Sequence, residues 1–271
     1  MKKQNFLMLT ALLIAVFSFN ACKNDKDDNP ITGFGEVEIE FDHRAADDAL
    51  DFGTEYTNAA GEKLTFTTFD YFISNIVLVK NDGTEYTVPK NDSYFLIKHD
   101  DVDSREIKLS NVPAGDYTGL KFMIGVDSLK SVSDISERTG VLDPAGAASG
   151  MYWSWNAGYI FVKVEGTSPA APVDPGSGEN IFQYHTGLFG GYDSPTLNNL
   201  KTMNMTVPDE AAMVREGETP HFHLYVDVLE MFKNPTVLSI AANPYSHGGP
   251  FSKTVADNYA DMFSIDHVHN H

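Results

Sequence analysis

Tryptophan and histidine are the residue types in this sequence that point most directly to chemistry. The two tryptophans of the chain, Trp153 and Trp155, lie one residue apart in the segment GMYWSWNAGYIFVKVEG. Because alternate side chains of a strand share a face, the two indoles would form one aromatic patch with Met151. Such a patch either packs in a core or supplies a reactive or ligand-forming indole. The spacing leaves both interpretations open.

Two single histidines end strand-like segments, His43 in FDHRA and His185 in FQYHTG. The junctions between strands and loops are where β proteins present functional side chains. Each histidine considered alone is as well explained by ordinary hydrogen bonding. A role as a metal ligand therefore needs further support.

Two further groups of histidines lie nearer the C-terminus. His221 and His223 have i, i+2 spacing, so in a strand both imidazoles face the same side, a workable geometry for a divalent metal. The pair is equally compatible with a solvated edge strand. We expect the last three, His267, His269 and His271, to lie in a disordered tail with adventitious metal affinity.

Motifs for nucleophilic or phosphate chemistry are absent from the sequence. There is no Gly-x-Ser-x-Gly, no His-Glu-x-x-His and no glycine-rich phosphate loop. No pair of acids can be singled out as a general acid and base. The net charge of −19 argues against a nucleic-acid partner, which would require clustered lysine and arginine. The sequence therefore predicts a protein without catalytic activity.

The N-terminal segment predicts secretion and lipid anchoring. Residues 1–21 combine Met-Lys-Lys with a short apolar stretch, as in a signal peptide. Cys22, the single cysteine, follows in a lipobox-like position, and lipidation accounts for it without leaving a free thiol. Residues 22–34 form an acidic tether. We expect an outer-membrane lipoprotein that faces the periplasm or the cell surface.

The elements that must position these side chains are mostly strands. In GEVEIEFDH, apolar and acidic residues alternate, and similar short strands with turn signals continue through most of the chain. The pattern predicts an all-β fold, an antiparallel β-sandwich with few short helices. The clearest helix is predicted near the C-terminus, in FSKTVADNYADMF. Residues 35–271 are expected to form one domain.

Several stretches together resemble a known family. The pattern GxxWxWxxGYxFxKxEG, with FDYFISNIVLV, VPAGDYTGLKFMIGVDS, FQYHTG and ADNYADMF, resembles the MbnP-like copper-binding domain, named for a periplasmic protein associated with methanobactin operons. The resemblance spans about Val37 to Phe263. The lipobox and the acidic tether would make this chain a membrane-anchored branch of the family.

The resemblance implies a specific copper chemistry. In related proteins a dihaem cytochrome c peroxidase-type partner oxidises a tryptophan to kynurenine, whose amine binds one Cu(I) with two histidines. Carried over, Trp155 or Trp153 would be modified, and His43 and His185 would supply the imidazoles. His223 is a further candidate ligand, and zinc a weaker candidate metal.

The implied function is copper capture or storage in the cell envelope. Two other functions stay open. One is a surface lipoprotein that binds a glycan or peptide on its aromatic patch without a metal. The other is a metalloenzyme that uses His221 and His223, which requires a third converging ligand.

Overall fold

The structure is a computed structural model that describes residues 31–271. The expected signal peptide, Cys22 and most of the acidic tether lie outside the described residues. Within residues 31–271, no helix is both long and apolar enough to cross a lipid bilayer.

The described part consists mainly of strands. They are β1 (Phe34–Ala45), β2 (Asp48–Ala49), β3 (Tyr56–Thr57), β4 (Lys63–Lys80), β5 (Glu85–Thr87), β6 (Tyr94–Lys98), β7 (Glu106–Pro113), β8 (Gly115–Ile124), β9 (Tyr152–Trp153), β10 (Gly158–Thr167), β11 (Ile181–Gly187), β12 (Lys201–Thr206), β13 (Ala212–Val214), β14 (His221–Asp227), β15 (Tyr245–Ser246) and β16 (Phe263–His269). The α-helices are α1 (Ser128–Ser131) and α2 (Pro250–Tyr259). Short 3-10 helices span Lys90–Asp92, Val102–Arg105, Ile135–Glu137, Gly140–Leu142, Val228–Phe232 and Ala260–Met262.

Two sheets pack face to face. The small sheet has the strand order β16-β14-β1-β2, and β7 also pairs with β1. The large sheet has the order β12-β8-β4-β10-β11-β15, and the shorter strands β3, β5, β6, β9 and β13 pair along it. The predicted all-β sandwich with a helix near the C-terminus is confirmed. Two pairings, β1 with β14 and β11 with β15, are parallel rather than antiparallel.

Strand β1 shows how the sequence pattern builds the sandwich. Its inward side chains, Val37, Ile39 and Phe41, are at most 1% exposed and join the core between the sheets. The alternating acids face outward, as period-two patterning requires. His43 continues the inward series and is 1% exposed. The alternation that builds the core therefore also carries an imidazole into it.

The C-terminal segment is ordered, and the expectation of a disordered tail is wrong. After helix α2, Met262 and Phe263 are 2% and 6% exposed, so the start of β16 is fixed in the core. The strand then pairs antiparallel with β14 and sets His269 opposite His221. Burial of an aromatic side chain and a row of ladder hydrogen bonds offset the conformational entropy that a terminal segment would otherwise retain.

Candidate functional site

A pair of imidazoles lies inside the sandwich. His43, near the end of β1, meets His99, which directly follows β6 in the large sheet. Their Nδ1 atoms are 3.1 Å apart, and the rings are stacked with centroids 5.3 Å apart. One Nδ1–H therefore donates to the other Nδ1, and the two nitrogens point at a common space.

Aromatic side chains and one hydroxyl surround this pair. The Nε2 atom of His43 lies 2.8 Å from the hydroxyl of Tyr71, which is fully buried. The ring of Phe69 packs 4.8 Å from His43, and the ring of Phe52 lies 4.3 Å from His99. The hydrogen bond fixes the orientation of the His43 ring, and the aromatic rings limit access of water to it.

The surroundings keep both imidazoles neutral. Burial lowers the pKa of His43 well below its usual value, and the neighbouring His99 and Arg105 lower it further. Burial and Arg105 likewise lower the pKa of His99. The Nε of Arg105 is buried without a hydrogen-bond partner. A neutral imidazole can offer a lone pair to a metal without first losing a proton.

The His43–His99 pair therefore suits a soft ion of low coordination number. Metal–imidazole bonds are about 2 Å long, so a nearly linear site needs the two nitrogens about 4 Å apart. Opening the observed 3.1 Å gap by about 1 Å would be sufficient. The site offers two nitrogen donors and no carboxylate, which disfavours hard ions such as Ca²⁺ or Mg²⁺.

His185 lies elsewhere, on strand β11. Its Nε2 atom is 2.7 Å from Oε1 of Glu165 on the neighbouring β10, and its ring centroid is 4.7 Å from that of His247. The hydrogen bond from His185 is the main reason that the pKa of Glu165 falls to about 2. His247 follows β15, whose parallel pairing with β11 brings the two histidines together.

The structure does not bring His43 and His185 together. His43 faces the core, where it contacts the hydroxyl of Tyr71 on β4. His185 instead alternates with the buried Tyr184 and so lies on the outer face of the large sheet. Neither residue ends its strand: β1 continues to Ala45 and β11 to Gly187. The alternation of side chains along each strand directs the His43 ring into the core and the His185 ring outward. The positions of the two residues near strand ends did not show this difference.

The tryptophans stack on each other as the spacing suggests, with ring centroids 5.2 Å apart. They do not share one strand, however, because β9 ends at Trp153 and Trp155 lies in the following turn. Trp155 is 50% exposed, so the patch is partly open to solvent. The indoles cover two glycines: a Cβ added at Gly187 would lie 2.9 Å from Trp153, and one at Gly248 would lie 3.2 Å from Trp155.

These contacts associate the tryptophans with the His185–His247 pair. Gly187 lies two residues after His185 on the same strand, and Gly248 directly follows His247. The indoles therefore lie beside the outer histidine pair, on the face of the large sheet opposite to His43. The aromatic patch and the buried histidine pair are separate features.

His223 belongs to neither group. It lies on the outer face of the small sheet, close to Asp266 and His267 of β16. His221, on the same face, lies near Glu40 of β1. His223 therefore converges with two other candidate ligands, whereas His221 lies outside that group.

Comparison with known proteins identifies the family. The family model MbnP matches residues 34–248. This chain belongs to the MbnP family. Among solved structures, MbnP from Methylosinus trichosporium is similar over 80% of this chain and 82% of that chain, with a TM-score of 0.53 and 19% sequence identity. That likeness supports the shared fold. No curated protein matches the chain.

The region that matches the MbnP family contains both histidine pairs and both tryptophans, but it ends before β16. Sequence reasoning missed the partners His99 and His247. A usable signal existed for His99, because it directly follows the strand-like run SYFLIK and so ends a strand. His247 lies in the turn-like run NPYSHGGP, which carries no comparable signal.

Proposed function

We propose that this protein binds one Cu(I) ion between Nδ1 of His43 and Nδ1 of His99 and has no catalytic turnover. The observation that carries the proposal is that Nδ1 of the buried His43 faces Nδ1 of the half-buried His99 at 3.1 Å. Membership of the MbnP family supports copper as the metal. The ligand set differs from the one that the resemblance implies, because the tryptophans lie beside His185 and His247 and not beside this pair.

The donor set favours Cu(I) over other ions. Cu(I) is soft and accepts few ligands, and neutral imidazole binds copper well. Low pKa values keep His43 and His99 neutral at neutral pH. Binding therefore requires only that the proton shared between the two Nδ1 atoms moves to an Nε2 atom, with no net loss of a proton. In the bound state Nε2–H of His43 would donate to the Tyr71 oxygen, which fixes the tautomer that leaves Nδ1 free. Water exclusion by the surrounding rings would protect the reduced ion.

The envelope location and the partner are further parts of this proposal. A lipidated Cys22 would anchor the protein at the outer membrane, and the support is the lipobox-like sequence that ends at that cysteine.

A dihaem peroxidase-type partner would oxidise Trp155 to kynurenine. The support is that Trp155 is half exposed, and thus accessible to a partner, whereas Trp153 lies beneath it. A kynurenine at this position would add a donor beside His185 and His247.

Competitive Cu(I) titration tests which pair binds copper. We expect one-to-one binding in the purified chain and its loss in both His43→Ala and His99→Ala. The double variant His185→Ala/His247→Ala is the matched control, because it removes the other pair of neighbouring imidazoles, which lies on the outer face of the large sheet. Retained binding in His43→Ala together with loss in the control would move the site to the outer pair. Circular dichroism of each variant separates loss of ligand from loss of fold.

A second candidate function rests on the aromatic patch. A cavity of about 340 Å³ opens beside Trp155 and is also lined by Tyr152, Tyr192 and Arg138. Its size lies at the lower end of the range for small-molecule sites, and stacked aromatic rings with polar neighbours suit a glycan or a peptide. Glycan-array binding that persists after metal chelation and is lost in Trp155→Ala would support it.

A further inference from the structure

The outer face of the small sheet carries a second group of candidate metal ligands. His223 on β14 and Asp266 and His267 on β16 each offer one ligand atom, and these atoms lie within 4.8 Å of one another. The face is opposite to the one that carries His43, because His223 alternates with the buried Phe222 and Leu224. This group is therefore separate from the proposed Cu(I) site.

A bulge in the β14–β16 pairing brings these ligands together. His223 faces His267 in the ladder, but Leu224 faces Ile265, so Asp266 is an extra residue on β16. Adjacent residues of a regular strand point to opposite faces, whereas a bulge redirects one side chain. The bulge therefore lets Asp266 and His267 approach His223 from the same side.

One separation in the group matches the spacing of ligand atoms around a metal. Nδ1 of His223 lies 3.4 Å from Oδ2 of Asp266, and this nitrogen is buried without a hydrogen-bond partner. Bonds of about 2.0–2.2 Å around a tetrahedral ion separate neighbouring ligand atoms by about 3.3–3.6 Å. Asp266 also accepts a hydrogen bond from Nδ1 of His267 at 2.6 Å. The other nitrogen of His267, Nε2, lies 2.7 Å from Nε2 of His269. A metal bound at Nδ1 of His267 would replace the proton of the Asp266 hydrogen bond, and Nε2–H would then donate to His269.

Carboxylates stand behind the His223 ring. Its other nitrogen, Nε2, lies 3.7 Å from Oε2 of Glu40 and 3.9 Å from Oδ2 of Asp42, both on β1. Metal-bound imidazoles commonly donate their second N–H to a carboxylate, which orients the ring and strengthens the ligand. The same carboxylates add negative charge near the site. Both separations exceed hydrogen-bond length, so one carboxylate would have to move closer to accept from Nε2–H when a metal binds.

We propose that His223, Asp266 and His267 form a binding site for a divalent ion of the zinc class. Two imidazoles and one carboxylate suit Zn²⁺ and its borderline neighbours, whereas Ca²⁺ and Mg²⁺ prefer all-oxygen sites. Three protein ligands leave a fourth position open for water. Backbone pairing of β14 with β16 fixes the ligands, so the site differs from a flexible histidine-rich tail.

Titration of the purified full chain with Zn²⁺ against a chromophoric zinc indicator tests this site. We expect one Zn²⁺ per chain. His223→Ala and His267→Ala should each weaken binding by more than the about 10–100-fold that loss of an outer partner costs. His271→Ala is the matched control: it removes an exposed C-terminal imidazole outside the group and should leave the affinity unchanged. Bound Co²⁺ should give a tetrahedral absorption spectrum that His223→Ala abolishes.

Three results would overturn the proposal: absence of Zn²⁺ binding, unchanged affinity in both ligand variants, or an equal loss in His271→Ala. The last would indicate nonspecific binding by C-terminal histidines. His267 lies in the edge strand β16 and is half-buried, so its variant keeps the test valid if His223→Ala does not fold. Cu(I) titration of His267→Ala should be unaffected, because the proposed copper pair lies on the other face of the small sheet.

Discussion

Replacing Tyr71 by phenylalanine should weaken Cu(I) binding without removing a ligand. The substitution deletes one hydroxyl, which lies 2.8 Å from Nε2 of His43. Tyr71 and His43 are 0% and 1% exposed, so water cannot readily replace the lost partner. A buried polar group left unpaired costs about 1–3 kcal/mol of folding free energy.

The same hydroxyl should also matter for the metal. If Cu(I) binds at Nδ1, Nε2 of His43 carries the proton and needs an acceptor. Loss of an outer-shell partner typically lowers metal affinity about 10–100-fold, which corresponds to about 1.4–2.7 kcal/mol. We therefore expect the Cu(I) dissociation constant of Tyr71→Phe to rise by about that factor. Competitive Cu(I) titration measures it, and urea denaturation of the copper-free protein measures the stability.

Tyr184→Phe is the matched control. Tyr184 is also fully buried, but its hydroxyl donates to the backbone carbonyl of Asn243 at 2.8 Å, away from the histidine pair. It should lose a comparable amount of stability and no copper affinity. If the two variants have the same Cu(I) dissociation constant, Tyr71 does not support the metal ligand, and our reasoning about the His43 tautomer fails.

Two further predictions concern the outer face of the large sheet. The hydrogen bond from His185 is the main reason that the pKa of Glu165 is about 2 in the folded protein. Ionised Glu165 therefore stabilises the fold above its unfolded pKa of 4.5, and this contribution is lost as pH falls toward 2. After solvent screening we expect ionised Glu165 to contribute about 1–2 kcal/mol to the free energy of unfolding. Glu165→Gln should therefore flatten the dependence of this free energy on pH between pH 5 and pH 2, measured by urea denaturation. An unchanged pH dependence would contradict the coupling between Glu165 and His185. Gly187→Ala places a methyl group against the backbone carbonyl oxygen of Tyr159 and 2.9 Å from the Trp153 ring, and it should cost about 1–3 kcal/mol with a change in tryptophan fluorescence. Gly176→Ala, in an exposed loop, should change neither, and equal effects of the two substitutions would refute the close packing.

Much of the fold could be predicted because it depends on local alternation. The series Val37, Ile39 and Phe41 indicates an inward face, and extending the series by two residues reaches His43. The sequence could thus have placed this imidazole in the core. Instead, its position near the end of a strand suggested a loop role.

The partners of each histidine could not be predicted in the same way. His99 and His247 are brought to His43 and His185 by pairings between strands that are distant in sequence, and a single sequence does not show these. The bulge at Asp266 is a similar case, because it depends on the register between β14 and β16. Alternation reveals which face a side chain occupies but not which strand lies beside it.

The parallel pairing of β1 with β14 has a consequence for how the chain folds. Glu38 pairs with His221, so the partner of the first strand is synthesised about 180 residues later. Until that partner is present, one edge of β1 is unpaired, and such an edge can recruit strands of other chains. The acidic residues that alternate along this strand would repel another copy of it during that time. The carboxylates of β1 therefore protect the nascent chain from aggregation before any metal is bound.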